Sequence, residues 1–388
     1  MSSPLSGTLV VDLSRYLPGP LAGRLLADLG ARVVKVEEPS LGDPIRLSPP
    51  VREGEGALGA ILLAGVESLA LDLKDPAAKV VLERLLARAD VLLESFRPGT
   101  LARLGFPPEE LRRRFPTLVI CSLTGWGQTG PYAARAGHDL TYQAAAGTLA
   151  STAAMPAVPV ADLIGGWSAV TAILAALLER RRTGKGSWID ASLYDAGFHA
   201  NLVGWSMEAG RPKGVGERLP LTGALPCYDL YDTADGRVLA VGALEPHFWK
   251  RLCAAAGRND LVKRQYSPSR RVRRQVKEMV RSRTLAQWME ILGREDVPAE
   301  PVLSAAEARA HPQAAARTLL TSGDDRLPRL AFPARFDGTR PAPGGPVPGL
   351  GEHTKSLLAE LGVPREVETS PGVGRRFSLR RWLRTVLR

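Results

Sequence analysis

Along the first two hundred residues the apolar positions alternate between two spacings, short β-branched runs and longer stretches repeating every three or four residues. Residues 8–13, T-L-V-V-D-L, form a β-rich run. After a Pro/Gly turn, P-L-A-G-R-L-L-A-D-L-G carries a helical pattern to Gly30, and residues 31–37 predict a second strand. Such a βαβ opening calls for a parallel sheet. Strands at 68–73 and 91–95 flank a helix over 75–88 that has Pro76 in its first turn, and a helix over 108–114 leads to a strand at 117–123. A long apolar helix over 165–182, closed by R-R-R-T-G-K-G, precedes a strand at 188–193 and a helix at 194–207. Between 210 and 223 Gly and Pro break the alternation, which marks a domain boundary. Beyond it lie a β-hairpin (228–232 and 238–241, turning through T-A-D-G), helices from 245 to about 292, a strand at 298–303 and a helix at 353–361. The expected class is α/β. A large Rossmann-like domain with a parallel sheet (1–209) is followed by a small α+β domain (210–310), a return to the large domain (311–370) and a tail (371–388).

With 388 residues and 45% hydrophobic content the chain can bury a large core. No window reaches the roughly 18 uninterrupted apolar residues of a spanning helix, and M-S-S-P-L-S-G lacks the features of a signal peptide, so a cytoplasmic protein is expected. Cys121, Cys227 and Cys253 are far apart with no C-x-x-C spacing, which supports neither a disulfide framework nor a metal site. The net charge of +11 is arginine-rich and gathers after residue 258. Aromatic residues are too sparse there for stacking on nucleic acid, and a phosphate-bearing small ligand is drawn equally well by positive potential.

The candidate chemistry lies between Gly137 and Gly166, where G-H-D-L-T-Y and P-V-A-D-L-I-G-G hold His138 and Asp162 in a setting of small apolar residues. A histidine and a carboxylate so placed suit acid/base work, although either residue also serves in an ordinary turn or helix cap. Gly137, Gly147, Gly165 and Gly166 are expected to leave room for a ligand against the backbone. The loop T-G-W-G-Q-T-G-P after the strand at 117–123, together with Arg97, falls at the carboxyl ends of the strands, where open α/β sheets bind ligands. The first turn, S-R-Y-L-P-G-P-L-A-G, has no G-x-G-x-x-G, which argues against nicotinamide or flavin.

L-A-D-L-G-A-R-V-V-K-V-E, S-L-A-L-D-L-K, F-R-P-G, T-G-W-G-Q-T-G-P, G-H-D-L-T-Y, Y-D-T-A-D-G-R, G-A-L-E-P-H-F-W and L-G-E-H-T occur in this order. In these segments the chain resembles the family III CoA-transferase superfamily, and most closely its α-methylacyl-CoA racemase branch. The resemblance implies catalysis by Asp162, as base in a racemase or nucleophile in a transferase. With it come His138 as the second acid/base and Glu245 as the residue that orients the imidazole. It also implies that coenzyme A, carried as an acyl thioester and with no metal, lies along Leu71, Asp72, Leu73, Lys74, Arg97, Gly137, Asp139 and Tyr142. The activity implied is racemisation of a 2-methylacyl-CoA. CoA transfer through an Asp162 anhydride and a non-catalytic relative are the alternatives. The last is prompted by Glu38 and Glu67, acidic where relatives carry basic residues near the phosphates. An interlocked homodimer is implied as well.

The tail, G-V-G-R-R-F-S-L-R-R-W-L-R-T-V-L-R, places Leu379, Trp382, Leu383, Val386 and Leu387 at helical spacing among arginines. A basic amphipathic helix is expected there, docked on the protein's own body or on an anionic membrane surface.

Overall fold

The computed structural model describes residues 3–52, 55–150, 154–210, 220–322, 328–341 and 344–363. The expected basic helix of the tail, 371–388, lies outside the described residues. The chain divides into two compact units. Met1–Leu149, Ala154–Leu202 and Ala315–Arg388 make the first, and Ala150–Ala153 with Val203–Ala314 the second.

The first unit is built on a six-stranded sheet. Its strands are β1 (Leu9–Asp12), β2 (Arg32–Glu37), β3 (Glu67–Ala70), β4 (Val91–Glu94), β5 (Val119–Thr124) and β6 (Trp188–Ser192). All neighbours are parallel, in the order β3-β2-β1-β4-β5-β6. The helices that matter for the site are α1 (Pro18–Asp28), α2 (Pro76–Leu86), α3 (Asp139–Ala145), α4 (Val160–Thr183) and α5 (Leu193–Ala200). Every residue of β4 and β5 is buried, as a parallel strand covered on both faces requires. Successive side chains of β1 part to opposite faces. Val10 joins a core with Leu26, Val119 and Ile173, and Val11 joins another with Leu82, Ile120 and Leu357.

Local signals start and stop the helices. The Asp75 carboxylate accepts from the Ala77 N–H at 2.9 Å, with Pro76 next to it, at the head of α2. Gly184, at φ 71°, ends α4 after Arg180, Arg181 and Arg182, whose charge complements the carboxyl end of the helix. α4 starts at Val160, five residues before the expected Gly165, so Asp162 lies inside its first turn and is not a cap. The two glycines are tolerated mid-helix because neighbours occupy the space their side chains would fill. A Cβ on Gly166 would come within 2.8 Å of the Pro18 carbonyl, and one on Gly165 would strike Leu193. These glycines serve helix packing, which corrects the expectation of ligand room at both. α4 is long and apolar enough to cross a membrane by length and mean hydropathy, although Asp162, Ser168 and Thr171 interrupt its apolar run. Ala161, Ala169, Val170, Ile173, Ala176 and Leu177 bury one stripe of it in the core. The single helix expected at 194–207 is two, Leu193–Ala200 and Leu202–Gly210, separated at Asn201.

In the second unit Tyr228–Asp232 and Val238–Gly242 pair antiparallel, and Ala299–Pro301 adds a third strand. Helices Pro246–Ala255, Arg270–Arg281 and Leu285–Leu292 cover it over a core of Tyr231, Leu239, Trp249, Val276 and Trp288. The indole N–H groups of Trp249 and Trp288 donate to the carbonyls of Leu261 (3.0 Å) and Val280 (2.7 Å), so burial leaves neither ring nitrogen unpaired.

Candidate active site

β1 and β4 are adjacent in the sheet, yet the chain leaves them toward opposite edges, and a crevice opens beyond their carboxyl ends. A cleft of about 420 Å³ occupies that position. Arg15 and Tyr16 follow β1, Ser95, Phe96, Arg97 and Pro98 follow β4, and Thr124, Gly125 and Trp126 end β5. The remaining wall includes Gly137, His138, Tyr142 and Asp162, so residues far apart in the chain share one cavity.

Asp162 occupies the third position of α4, beside backbone N–H groups that ordinarily favour a carboxylate. Burial outweighs them. Loss of solvent, then the like charge of Asp139, pushes its carboxyl up to about 7. Among the described residues no cation pairs with this carboxyl and no donor bonds to its oxygens. It is therefore available to a ligand and divides between acid and base near neutral pH.

His138 immediately precedes α3, and the Thr141 hydroxyl fixes its backbone by accepting from its N–H at 3.0 Å and donating to its carbonyl at 2.8 Å. Tyr142 is one turn further on, buried, with its ring edge-on to Trp126 at 5.0 Å. Burial, then the negative charge of Asp162, pushes its phenol up to about 12, so it stays a donor at neutral pH. Side chains added at Gly125 or Gly137 would collide with the Tyr142 ring. Glycine is needed there to admit the tyrosine. For Gly137 this corrects the expectation of ligand room.

Arg15, Arg97 and Arg135 bring positive charge to the cleft, and Arg135 lies over the Tyr132 ring at 4.1 Å. Of the other residues expected to hold coenzyme A, Gly137 and Tyr142 line the cleft and the rest fall elsewhere. Leu71 is core, Leu73 packs against the core, and the Asp72 carboxylate accepts from the Lys74 N–H at 3.0 Å in a turn beyond β3. None of the four lines the cleft. Asp139 is turned inward, accepting from the Gln143 amide at 2.6 Å and the Asp162 N–H at 3.1 Å. Glu245 belongs to the second unit, exposed and immediately before the helix Pro246–Ala255, with no side-chain capping bond. The acidic residues that prompted the non-catalytic alternative have internal partners. Glu67 pairs with Arg32 at 2.7 Å, and Glu38 accepts from the Ser40 and Leu41 N–H groups at 3.0 Å.

The sequence reading passed over a buried charge cluster beneath the first wall of the cleft. Lys35 on β2 donates to the Ser14 carbonyl at 2.6 Å and lies 3.3 Å from Asp12 and 3.1 Å from Asp43. All three charged residues are at most 2% exposed. Asp12 accepts from the Ser14 N–H at 2.7 Å and Asp43 from the Tyr16 N–H at 3.0 Å. The cluster thus grips the loop that presents Arg15 and Tyr16, and it holds Tyr16 in the left-handed region at φ 68°. The available signal was a charged residue, Asp12 or Lys35, within an otherwise apolar parallel strand. Among the described residues no group of three or more His, Cys, Asp or Glu side chains is placed to hold a metal.

A family model described as CoA-transferase family III matches residues 5–354. The chain is 34% identical over 378 residues to the alpha-methylacyl-CoA racemase of Homo sapiens, covering 93% of this chain and 94% of that protein. It is 32% identical over 382 residues to the acetyl-CoA:oxalate CoA-transferase of Acetobacter aceti, covering 93% and 96%. Among solved structures, a CAIB/BAIF family protein from Brucella suis superposes with a TM-score of 0.82 at 31% identity, over 93% of this chain and all of that one.

Proposed function

Because the chain belongs to CoA-transferase family III, an enzyme family of racemases and transferases, we propose that it racemises a 2-methyl-branched acyl-CoA at its α carbon. The observation that carries this reading is the presence, in one cleft, of a histidine and of an aspartic acid that titrates near neutrality. A thioester acidifies the neighbouring C–H. Asp162 as carboxylate takes that proton from one face, the C–H electron pair moves into an enolate, and His138 as imidazolium returns a proton to the other face. The reverse direction exchanges the roles. A base with pKa near the working pH is the efficient choice for such a transfer. The neutral Tyr142 phenol and the arginines of the cleft supply donors and positive potential for the enolate and the CoA phosphates. In this reading Glu245 orients the His138 imidazole within a homodimer, and the exposed apolar residues Trp167 and Leu178 on α4 and Phe198 on α5 support such a pairing of chains.

The experiment is incubation of a 2-methylacyl-CoA in deuterated water. Racemisation predicts deuterium at the α carbon, dependent on both Asp162 and His138. The second reading, CoA transfer, is favoured by the similarity to an acetyl-CoA:oxalate CoA-transferase and by an Asp162 carboxyl left free to attack a thioester. There the carboxylate adds to the thioester carbonyl, CoA leaves as thiolate and an aspartyl anhydride forms. No α-deuterium, with CoA delivered to an added carboxylate and the anhydride trapped by hydroxylamine, replaces the first reading with the second.

A further inference from the structure

α4 begins without a cap of its own. Pro159, which precedes it, offers no side-chain acceptor, so the first N–H groups of the helix need partners from elsewhere. The N–H of Asp162 finds one 23 residues back in the chain, where the Asp139 carboxylate accepts it at 3.1 Å. The second Asp139 oxygen accepts from the Gln143 side-chain amide at 2.6 Å, and Gln143 is itself only 2% exposed. Both oxygens are therefore engaged toward the protein, and Asp139 does not line the cleft that its neighbours His138 and Tyr142 line.

We propose that Asp139 is a positioning residue for Asp162 and not a ligand of coenzyme A, joining the first turn of α4 to the first turn of α3 and setting a fixed negative charge beside the catalytic carboxyl. A carboxylate does both tasks at once. As an acceptor it closes a helix end whose Pro159 cannot, and as an anion it opposes ionisation of its neighbour. The other titratable groups that line the adjoining cleft are His138 just before α3, Tyr142 on α3, Arg15 and Tyr16 before α1, Arg97 after β4 and Arg135 after β5, and from α5 Tyr194 packs against Trp126 of its wall. Of all these charges only that of Asp139 joins burial in raising the Asp162 carboxyl. None of the cationic residues of the cleft pairs with Asp162, so none offsets that rise.

The proposal rests on the reading of Asp162 as the catalytic carboxyl, and its test separates the two. Asp139→Asn keeps an oxygen that can accept the Asp162 N–H and removes the charge, whereas Asp139→Ala removes both. In the full-length protein, the stability difference between each variant and its Asp162→Asn counterpart, followed from pH 4 to pH 9, reports the titration of Asp162 without any turnover. The α-deuterium or transfer assay over the same range reports it through activity. We expect the Asp162 titration of Asp139→Asn to move toward acid by roughly half a pH unit or more, with its activity plateau nearly retained. Asp139→Ala should show the same displacement and a plateau lower by about tenfold, because the Asp162 N–H loses its acceptor. A residue that merely held the fold would lower activity without displacing the titration. If the Asp162 midpoint in whichever variant folds coincides with that of the wild type, the proposal is overturned. If the midpoint moves while the wild type shows neither α-exchange nor CoA transfer, the proposal stands and the functional reading falls.

Discussion

Asp162→Asn isolates the energetic cost of keeping an ionisable group in the cleft. The side chain keeps its shape, no donor among the described residues bonds its carboxylate, and the only change of consequence is that it can no longer ionise. Burial and then Asp139 raise this carboxyl from the ordinary 3.8 to about 7. The difference is about 3 units, which at 1.36 kcal/mol per unit sets an upper bound of about 4 kcal/mol on the cost of ionising it in the folded protein. Asp162 opens onto the cleft and water screens it there, so about 2 kcal/mol is the better expectation. The sign follows from linkage. The folded state holds the proton more tightly than the unfolded chain, so the favourable contribution is complete below about pH 4, is lost as pH rises to 7, and does not change further above it. Wild type and Asp162→Asn should therefore be equally stable near pH 4. By pH 8 the variant should be the more stable, melting about 2 to 5 °C higher while losing α-exchange and transfer. Denaturant and thermal melts of both proteins at pH 4.5, 6, 7 and 8 make the measurement. A stability difference that is flat across this range, or a variant less stable at pH 8, refutes the assignment of Asp162 as a carboxyl pushed up by burial.

Lys35→Met leaves Asp12 and Asp43 buried and facing each other without their shared cation, and chemical denaturation at pH 7 should show a loss of about 3 to 5 kcal/mol. A loss below about 1 kcal/mol would mean the cluster does not support the first wall of the cleft. Gly125→Ala drives a methyl group into the Tyr142 hydroxyl and should destabilise the protein, with Tyr142→Phe in the same chain restoring about 1 kcal/mol or more. Additive single effects would place the strain elsewhere. Arg97→Ala should raise the KM for an acyl-CoA by about tenfold at low salt and leave kcat nearly unchanged, with the gap closing as ionic strength rises. An unchanged KM would remove Arg97 from the phosphate-binding role.

Much of the first unit was legible in the chain because local geometry writes it there. The apolar runs at Val10–Val11 and Val33–Val34, the helical spacing between them and the Asp75-Pro76 start all depend on neighbours a few residues away. The motifs around Gly125, Gly137 and Asp162 likewise led to residues that share the cleft. What the chain could not display is whatever depends on partners distant in sequence. A residue pattern does not state that β4 lies beside β1, and that adjacency brings Arg97 opposite Tyr16. Gly165 and Gly166 look like ligand space until Leu193 and Pro18 are found occupying it, and for the same reason α4 starts five residues before its apolar pattern suggests. The state of Asp162 is the plainest case. Its acidity is set by burial among elements from across the first unit and by a carboxylate 23 residues away, and electrostatic energy depends on distance in space and on the water excluded from it, neither of which is written in residue order.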